Sequence, residues 1–247
     1  MLGIPDRMLA CLFDLDGVLT RTADLHAAAW KAMFDDYLRG RAQRTGTPFV
    51  PFDAHEDYDR YVDGMPRADG TASFLASRQI TLPTGHADDP PGTETVHGLG
   101  NRKNEIVLAT IAEGGVQVIP GSLRYLTAVR QAGLATAVVS ASANCQAMLA
   151  GAGIAGLADV VVDGVVAARE HLAGKPAPDT YLAASRELRV PPERAVVYED
   201  ALAGVAAGRA GGFGWVVGVD RDGQAAALRA EGADDVVSDL ADLLGRP

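Results

Sequence analysis

The second half of this chain alternates between short apolar runs and amphipathic stretches. With one apolar run near the N-terminus, these runs predict β-strands at residues 9–13, 134–139, 159–162, 195–198, 215–219 and 235–237. The stretches between them predict helices near residues 121–132, 143–151, 178–188, 201–210 and 223–230. Strands that are apolar almost throughout and alternate with helices are typical of a parallel sheet covered on both faces. The pattern therefore predicts an α/β fold with a doubly wound parallel sheet.

The region after the first predicted strand has a different character. Thr22 to Leu38 predicts a helix that Thr22 can cap, and short helices are expected near 67–78 and 101–113. A polar segment near 40–62 and a stretch rich in Pro and Gly at 80–97 separate them. We therefore predict a sheet domain of residues 1–21 and 117–247, and an inserted helical cap domain of residues 22–116. An insert at this point overhangs the strand ends, where a lid would lie.

Charge and cysteine content restrict the class of partner. The 247 residues carry a formal net charge of −10, which disfavours nucleic acid and anionic membrane surfaces. No apolar run approaches the length of a membrane span. Cys11 and Cys145 are far apart and lack the spacing of metal ligands, so we interpret both as reduced thiols. We expect a cytoplasmic protein with a small-molecule ligand, without a nucleic acid or membrane partner.

Two carboxylates mark the end of the first predicted strand. Asp14 and Asp16 follow an apolar run, and Gly17 comes directly after them. Ionised carboxylates do not lie unpaired inside a strand, so both are expected at its carboxyl end, where open α/β sheets bind ligands. Neighbouring carboxylates repel each other, and Mg²⁺ relieves that repulsion. The pattern indicates a magnesium-assisted phosphoryl-transfer site; the alternative for an isolated Asp-x-Asp-Gly is ordinary turn chemistry.

A second pair of carboxylates and a lysine occupy similar positions. Glu199 and Asp200 directly follow another apolar strand, and carboxylates from two strands form an oxygen-rich site of the kind that Mg²⁺ prefers. The alternative is that Asp200 caps a helix starting at Ala201. Lys175 lies in a stiff loop between Gly174 and two prolines, which suits charge stabilisation. The alternative for Lys175 is an exposed side chain in a turn.

The segment Ser140-Ala141-Ser142 follows the apolar strand that ends at Val139. A hydroxyl together with backbone amides at the start of a helix is suited to binding phosphate. The alternative is that Ser140 or Ser142 only caps that helix.

Together these motifs resemble one known superfamily. They follow one another along the chain as Asp14-Leu15-Asp16-Gly17-Val18, Ser140, Lys175-Pro176 and Glu199-Asp200. This order resembles the four ordered motifs of the haloacid dehalogenase-like phosphohydrolase superfamily, and the match spans almost the whole predicted sheet domain. The resemblance implies a Rossmann-like core with a helical cap inserted after the first strand.

Within that superfamily the chain is most similar to the β-phosphoglucomutase family. The similarity extends to the helix after the first motif, to Gly64-Met65-Pro66-Arg67 and to Arg102-Lys103-Asn104. It implies a set of substrate-binding residues, namely Thr22, His26, Trp30, Arg67, Lys103, Ala141, Ser142 and Gly17. Arg67 would bind the phosphate that is not reacting, since a guanidinium binds phosphate through two hydrogen bonds. The alternative for Arg67 and Lys103 is a solvated surface base.

The resemblance also implies a mechanism. Asp14 would be the nucleophile that becomes an aspartyl-phosphate, and Asp16 the general acid and base. Ser140, Lys175 and backbone amides near Gly17 would stabilise the phosphoryl oxygens. The expected Mg²⁺ ligands are Asp14, the backbone carbonyl of Asp16, and Asp200, with Glu199 close by.

The implied activity is the interconversion of β-D-glucose 1-phosphate and glucose 6-phosphate through β-glucose 1,6-bisphosphate, which also serves as the phosphorylating activator. A sugar-phosphate phosphatase of the same superfamily is the alternative, and a non-catalytic sensor would not need the catalytic set. The insertions near 40–62 and 80–97 depart from compact members of the family and leave the identity of the sugar open. The residues do not define the oligomeric state, although a monomer is favoured.

Overall fold

A computed structural model describes residues 1–114, 116–221 and 223–246 of the chain. The chain divides into two compact units: a core unit of Met1–Arg21 and Val116–Pro247, and a helical unit of Thr22–Gly115. Gly115, which the sequence analysis places just inside the insert, lies outside the described residues. Within the described ranges, no helix combines the length and the apolar character that crossing a membrane requires.

The helical unit packs around an aromatic core. Its helices are α1 (Ala23–Thr45), α2 (Glu56–Tyr61), α3 (Arg67–Ser77) and α4 (Val96–Gly114). Trp30 and Phe34 of α1 stack with ring centroids 5.3 Å apart, and Phe34 also contacts Phe74 of α3 at 4.1 Å. Phe52, from the segment between α1 and α2, is fully buried against Phe34 and Phe74. The aromatic contacts therefore fix α1 and α3 against each other.

A six-stranded parallel sheet forms the centre of the core unit. Its strands are β1 (Ala10–Phe13), β2 (Ala135–Val139), β3 (Val160–Val162), β4 (Ala195–Glu199), β5 (Trp215–Val219) and β6 (Asp235–Val237). They lie in the order β3-β2-β1-β4-β5-β6, and each neighbouring pair is parallel. The order reverses at β1, because β2 lies on one side of it and β4 on the other. The crevice at such a switch point is where open α/β sheets bind ligands.

Helices cover both faces of this sheet. They are α5 (Pro120–Gln131), α6 (Cys145–Gly151), α7 (Gly164–Glu170), α8 (Asp179–Leu188), α9 (Leu202–Ala210) and α10 (Ala225–Ala230). Leu12 of β1 belongs to the apolar cluster that contains Tyr181 of α8 and Val205 of α9. Phe13, the next residue, contacts Tyr125 of α5 with ring centroids 6.4 Å apart. Successive side chains of a strand point to opposite faces, so the doubly wound α/β fold expected from the sequence is confirmed.

Several helix boundaries differ from the prediction. Helix α1 continues past Leu38 through three arginines and ends at Thr45, where Gly46 adopts a positive φ of 69° and its N–H bonds to the carbonyl of Ala42. This is the usual glycine stop signal of a helix. Helix α4 begins at Val96 rather than near residue 101, and the hydroxyl of Thr95 accepts a hydrogen bond from the N–H of Gly98 at 2.9 Å, as in N-capping.

Helices α2 and α7 were not predicted. Both are short, and acidic side chains hold their first turns. Asp163 Oδ1 accepts hydrogen bonds from the N–H groups of Val165 and Val166 at the start of α7. Asp53 Oδ1 does the same for Glu56 at the start of α2.

The predicted capping of α1 by Thr22 is also wrong. Thr22 occupies the N-cap position and is buried, but its side chain makes no capping hydrogen bond.

Candidate active site

The carboxyl edge of the sheet brings the core motifs together. Asp14 directly follows β1, Ser140 directly follows β2, and Glu199 is the last residue of β4. The two strands beside the switch point and β1 itself therefore deliver one polar side chain each. The N–H of Asp14 bonds to the carbonyl of Tyr198 at 3.0 Å, which ties the start of the first motif to β4.

Lys175 joins two of these carboxylates. Its ammonium donates to Asp14 Oδ1 and to Glu199 Oε1, each at 2.5 Å. All three residues are buried, with side-chain exposures of 2% for Lys175, 9% for Asp14 and 0% for Glu199. The alternative of an exposed lysine in a turn is therefore wrong. Lys175 precedes a cis peptide bond to Pro176, a geometry that the sequence left open.

Further donors fix the Glu199 carboxylate. The hydroxyl of Tyr181 donates to Oε1 at 2.8 Å, and the N–H of Ala201 donates to Oε2 at 3.2 Å. A Cβ at position 204 would overlap the same carboxylate, so Gly204 lets α9 pass close to it. Glu199 is thus held in one orientation, facing Lys175.

Burial and neighbouring charges shift the pKa values of this cluster. Burial raises the pKa of the Asp14 carboxyl well above its ordinary value, and the carboxylates of Glu199 and Asp16 add to this effect, while the Lys175 ammonium opposes it. Burial acts to lower the pKa of Lys175, but Asp14 and Glu199 together outweigh it and raise that pKa. Lys175 is therefore charged, and Asp14 lies where more positive charge would stabilise its ionised form.

The donor set fits a divalent cation of the magnesium type. One oxygen from each of Asp14, Glu199 and Asp200 lies within 4.8 Å of the others. Lys175 supplies a single positive charge to this group, and buried charges of one sign need compensation. A Cβ at position 17 would overlap the Asp200 carboxylate, so Gly17, at a φ of 84°, leaves room for that side chain. Hard oxygen ligands and excess negative charge are the features that Mg²⁺ requires.

Asp16 and the segment after β2 form the other side of the site. The hydroxyl of Ser140 donates to Asp16 Oδ2 at 3.4 Å and accepts from the N–H of Ser142 at 3.1 Å. Helix α6 begins only at Cys145, so the alternative that Ser140 or Ser142 caps it is wrong. Ala141 lies between the two serines, and its carbonyl is too close to Gly164 for a Cβ there. The Asp16 carboxylate does not belong to the cluster of cation ligands described above.

Asp200 does not cap the following helix. Helix α9 begins at Leu202 with Ala201 at its N-cap, and no side chain caps it.

The loop after β5 braces both carboxylate segments. Arg221 Nε donates to the carbonyl of Gly17 at 2.7 Å, and its Nη1 donates to the carbonyl of Ser238 at 2.7 Å. Gln224 Nε2 donates to the carbonyl of Asp200 at 3.3 Å. Arg221 was not predicted as a site residue, although a polar residue after an apolar strand is the same signal that indicated Asp14 and Glu199.

In the helical unit, His26, Trp30 and Lys103 form one cluster. Lys103 Nζ lies 2.8 Å from His26 Nδ1 and 4.9 Å from the centre of the Trp30 ring. An ammonium has only donors, so Nδ1 accepts and the His26 ring is neutral. Lys103 is buried at 7% exposure, which excludes the alternative of a solvated surface base.

Arg67, the first residue of α3, is held by an amide. Its Nη2 donates to Asn101 Oδ1 at 3.0 Å. Burial lowers the pKa of its guanidinium from the ordinary value. Among the described residues, Arg67 forms no ion pair with a carboxylate. Its charge therefore remains available to an anion. Asn101 and Tyr181 were not predicted from the sequence, because neither is part of a recognisable motif.

Comparisons with known proteins agree with this geometry. A family model described as haloacid dehalogenase-like hydrolase matches residues 8–212. Proteins named Beta-phosphoglucomutase from Mycobacterium bovis and Mycobacterium tuberculosis are each 58% identical to this chain, over 99% of the chain and 94% of the relative. A crystal structure of CbbY from Rhodobacter sphaeroides in complex with phosphate superimposes with a TM-score of 0.70 at 28% identity, and the match covers 96% of each chain.

Proposed function

Because this chain belongs to the haloacid dehalogenase-like hydrolase family, we propose that it interconverts β-D-glucose 1-phosphate and glucose 6-phosphate. Family membership makes it an enzyme that acts as a phosphotransferase or a phosphatase. The observation that carries the proposal is the buried Lys175 ammonium between the carboxylates of Asp14 and Glu199. It holds Asp14 as a pre-positioned nucleophile, and the mycobacterial relatives that share 58% of the sequence are named as mutases.

In the proposed reaction, Asp14 attacks a phosphoryl group and becomes an aspartyl-phosphate. Asp16 protonates the oxygen that leaves and later deprotonates the hydroxyl that attacks the phosphoenzyme. Ser140 bonds Asp16 in the structure and would orient it. Lys175, Ser140 and amides near Gly17 would stabilise the negative charge on the phosphoryl oxygens.

Asp14, the backbone carbonyl of Asp16, and Asp200 would hold Mg²⁺, with Glu199 close by. When bound, the ion neutralises charge on the phosphoryl oxygens. Since Glu199 already accepts three hydrogen bonds from Lys175, Tyr181 and Ala201, its main role is to orient Lys175.

A mutase must transfer the phosphoryl group to a sugar phosphate instead of water. This requires that the intermediate, β-glucose 1,6-bisphosphate, be bound through its non-reacting phosphate as well. Arg67 has no ion-pair partner within the described residues and would bind that phosphate through its planar fork. Further substrate contacts are proposed in each unit by itself: in the helical unit from Thr22, His26, Trp30 and Lys103, and in the core unit from Gly17, Ala141 and Ser142. A simple phosphatase would not need a second phosphate site.

Product analysis tests the proposal. The enzyme is incubated with β-glucose 1-phosphate, Mg²⁺ and a trace of β-glucose 1,6-bisphosphate, and both glucose 6-phosphate and free phosphate are followed. We expect glucose 6-phosphate to form faster than free phosphate. Free phosphate without glucose 6-phosphate would reject the mutase and indicate a sugar-phosphate phosphatase that uses the same nucleophile.

A further inference from the structure

An ordered loop precedes α4 in the helical unit. We refer to residues 83–95 as the insert loop, which belongs to the stretch rich in Pro and Gly that departs from compact members of the family. Its two ends are joined where the N–H of Val96 donates to the carbonyl of Pro83 at 2.9 Å and the N–H of His97 donates to that of Thr84 at 3.1 Å. A loop whose ends are close together and whose own side chains hold it is a compact structural element.

Side-chain hydrogen bonds shape the interior of this loop. Asp89 Oδ2 accepts from the hydroxyl of Thr95 at 2.6 Å and from the N–H of His86 at 3.1 Å. The same Thr95 hydroxyl accepts from the N–H of Gly98 in the first turn of α4. Thr95 therefore connects the fold of the loop to the start of the helix.

Asn101 connects the insert loop to Arg67. Its Nδ2 donates to the carbonyls of Ala87 and Asp89, at 3.0 and 2.9 Å, while its Oδ1 accepts from Arg67 Nη2 at 3.0 Å. The orientation of this amide is determined by its partners, because a guanidinium can only donate and a carbonyl can only accept. Asn101 satisfies all three contacts in one orientation only.

The same helix restricts Arg67 sterically. A Cβ at position 100 would lie 3.2 Å from Arg67 Cγ, so Gly100 of α4 packs against the stem of this side chain. An arginine loses much conformational freedom when it binds a ligand, and fixing it beforehand reduces that loss. Gly100 and Asn101 thus fix the stem and the head of Arg67.

We propose that Asn101, itself held by the insert loop, is a positioning residue that orients Arg67 toward the non-reacting phosphate of the substrate. The insert loop then acts as a specificity element for doubly phosphorylated sugars. This inference rests on the proposed function, since it assumes that Arg67 binds a substrate phosphate.

Four single variants of the full-length enzyme test it. Asn101→Ala removes the hydrogen bonds that connect the insert loop to Arg67. Thr95→Val removes the hydrogen bond between Thr95 and Asp89 within the loop and leaves Asn101 unchanged. Arg67→Ala removes the side chain that is proposed to bind the phosphate. Thr110→Val on the same helix is the control, because Thr110 is exposed and its hydroxyl bonds within the helix to the carbonyl of Ile106. Each variant is assayed with β-glucose 1-phosphate plus β-glucose 1,6-bisphosphate, and separately for acetyl phosphate hydrolysis, whose substrate has no second phosphate.

For Asn101→Ala we expect the KM for β-glucose 1-phosphate to rise about tenfold, as for a lost hydrogen bond to a charged group. The kcat and the acetyl phosphate activity should stay within about twofold of wild type. Thr95→Val should change KM in the same direction by about two- to threefold, since it weakens the loop only indirectly. The control should match wild type in both assays.

The outcomes separate the two proposals. If Arg67→Ala raises KM and Asn101→Ala does not, the positioning role of Asn101 is wrong and the proposed function stands. If Arg67→Ala leaves KM unchanged, Arg67 does not bind a substrate phosphate, and both the phosphate assignment and this inference are rejected. If Asn101→Ala reduces acetyl phosphate hydrolysis as much as the sugar reaction, Asn101 acts on the fold as a whole and the inference is rejected.

Discussion

The two units hold their cations in different ways. In the core unit, the Lys175 ammonium lies between the buried carboxylates of Asp14 and Glu199 and compensates the charge of both. In the helical unit, Lys103 is held by a neutral imidazole and an aromatic ring, and Arg67 by an amide. Uncharged partners orient a cation without neutralising it. We infer that the core cluster of Asp14, Lys175 and Glu199 carries out the covalent chemistry. The cations of the helical unit, Arg67 and Lys103, attract an anionic substrate.

The largest difference between the units is expected in stability and kcat when Lys175 of the core unit or Lys103 of the helical unit is replaced. Replacing Lys175 with Met leaves the buried carboxylates of Asp14 and Glu199 without the opposite charge between them, so the free energy of unfolding should fall by roughly 3–5 kcal/mol. The kcat should fall by about 10³-fold, because the phosphoryl oxygens also lose a fixed positive charge. Thermal unfolding and steady-state kinetics measure both effects, with Arg44→Met at the exposed ion pair with Glu94 as the control. A Lys175→Met variant with wild-type kcat would contradict the role of the core cluster.

Lys103→Met is the corresponding variant in the helical unit. The variant loses the contacts of the ammonium with His26 Nδ1 and the Trp30 ring, and we expect a smaller fall in melting temperature than for Lys175→Met. We expect the KM for β-glucose 1-phosphate to rise roughly tenfold or more, and kcat to change far less, since a charged contact to substrate is lost. A loss of kcat as large as that of Lys175→Met would remove the distinction between the units.

Magnesium should stabilise the core unit specifically. At a concentration of about ten times its Kd, the ion should add roughly 1.4 kcal/mol to the free energy of unfolding, which is about 3–6 °C in melting temperature for a chain of this size. Asp200→Asn should reduce this shift, while Asp6→Asn, at an exposed position, should retain it. An equal shift in both variants would show that Asp200 is not a ligand.

The smallest effect concerns the thiols. Cys11 and Cys145 are fully buried and form no disulfide, and burial raises the pKa of Cys11 to about 12. A pKa raised above the ordinary value leaves almost no thiolate at pH 8. We expect neither cysteine to react with a thiol-specific colorimetric reagent until the protein unfolds. Rapid reaction of the folded enzyme would show that the core unit opens readily.

The sequence predicted the core unit better than the helical unit, for a physical reason. The strands are apolar throughout, and parallel strands place their carboxyl ends at one edge of the sheet. The proximity of Asp14, Ser140 and Glu199 could therefore be predicted from the sequence alone. Arg221 obeys the same rule after β5 and was detectable. Asn101 was not detectable from the sequence, because its role depends on how the irregular insert loop folds back on α4.

The residue that carries the phosphoryl group in the phosphoenzyme can be identified chemically. The enzyme is treated with acetyl phosphate, the acyl phosphate is trapped by borohydride reduction, and the tryptic peptide of residues 8–21 is sequenced by tandem mass spectrometry, which distinguishes Asp14 from Asp16. We expect the modification at Asp14 in the wild type and in Arg67→Ala alike, and its absence in Asp14→Asn. Modification at another residue, or its loss in Arg67→Ala, would contradict the claim that the core unit carries the chemistry without the phosphate-binding arginine.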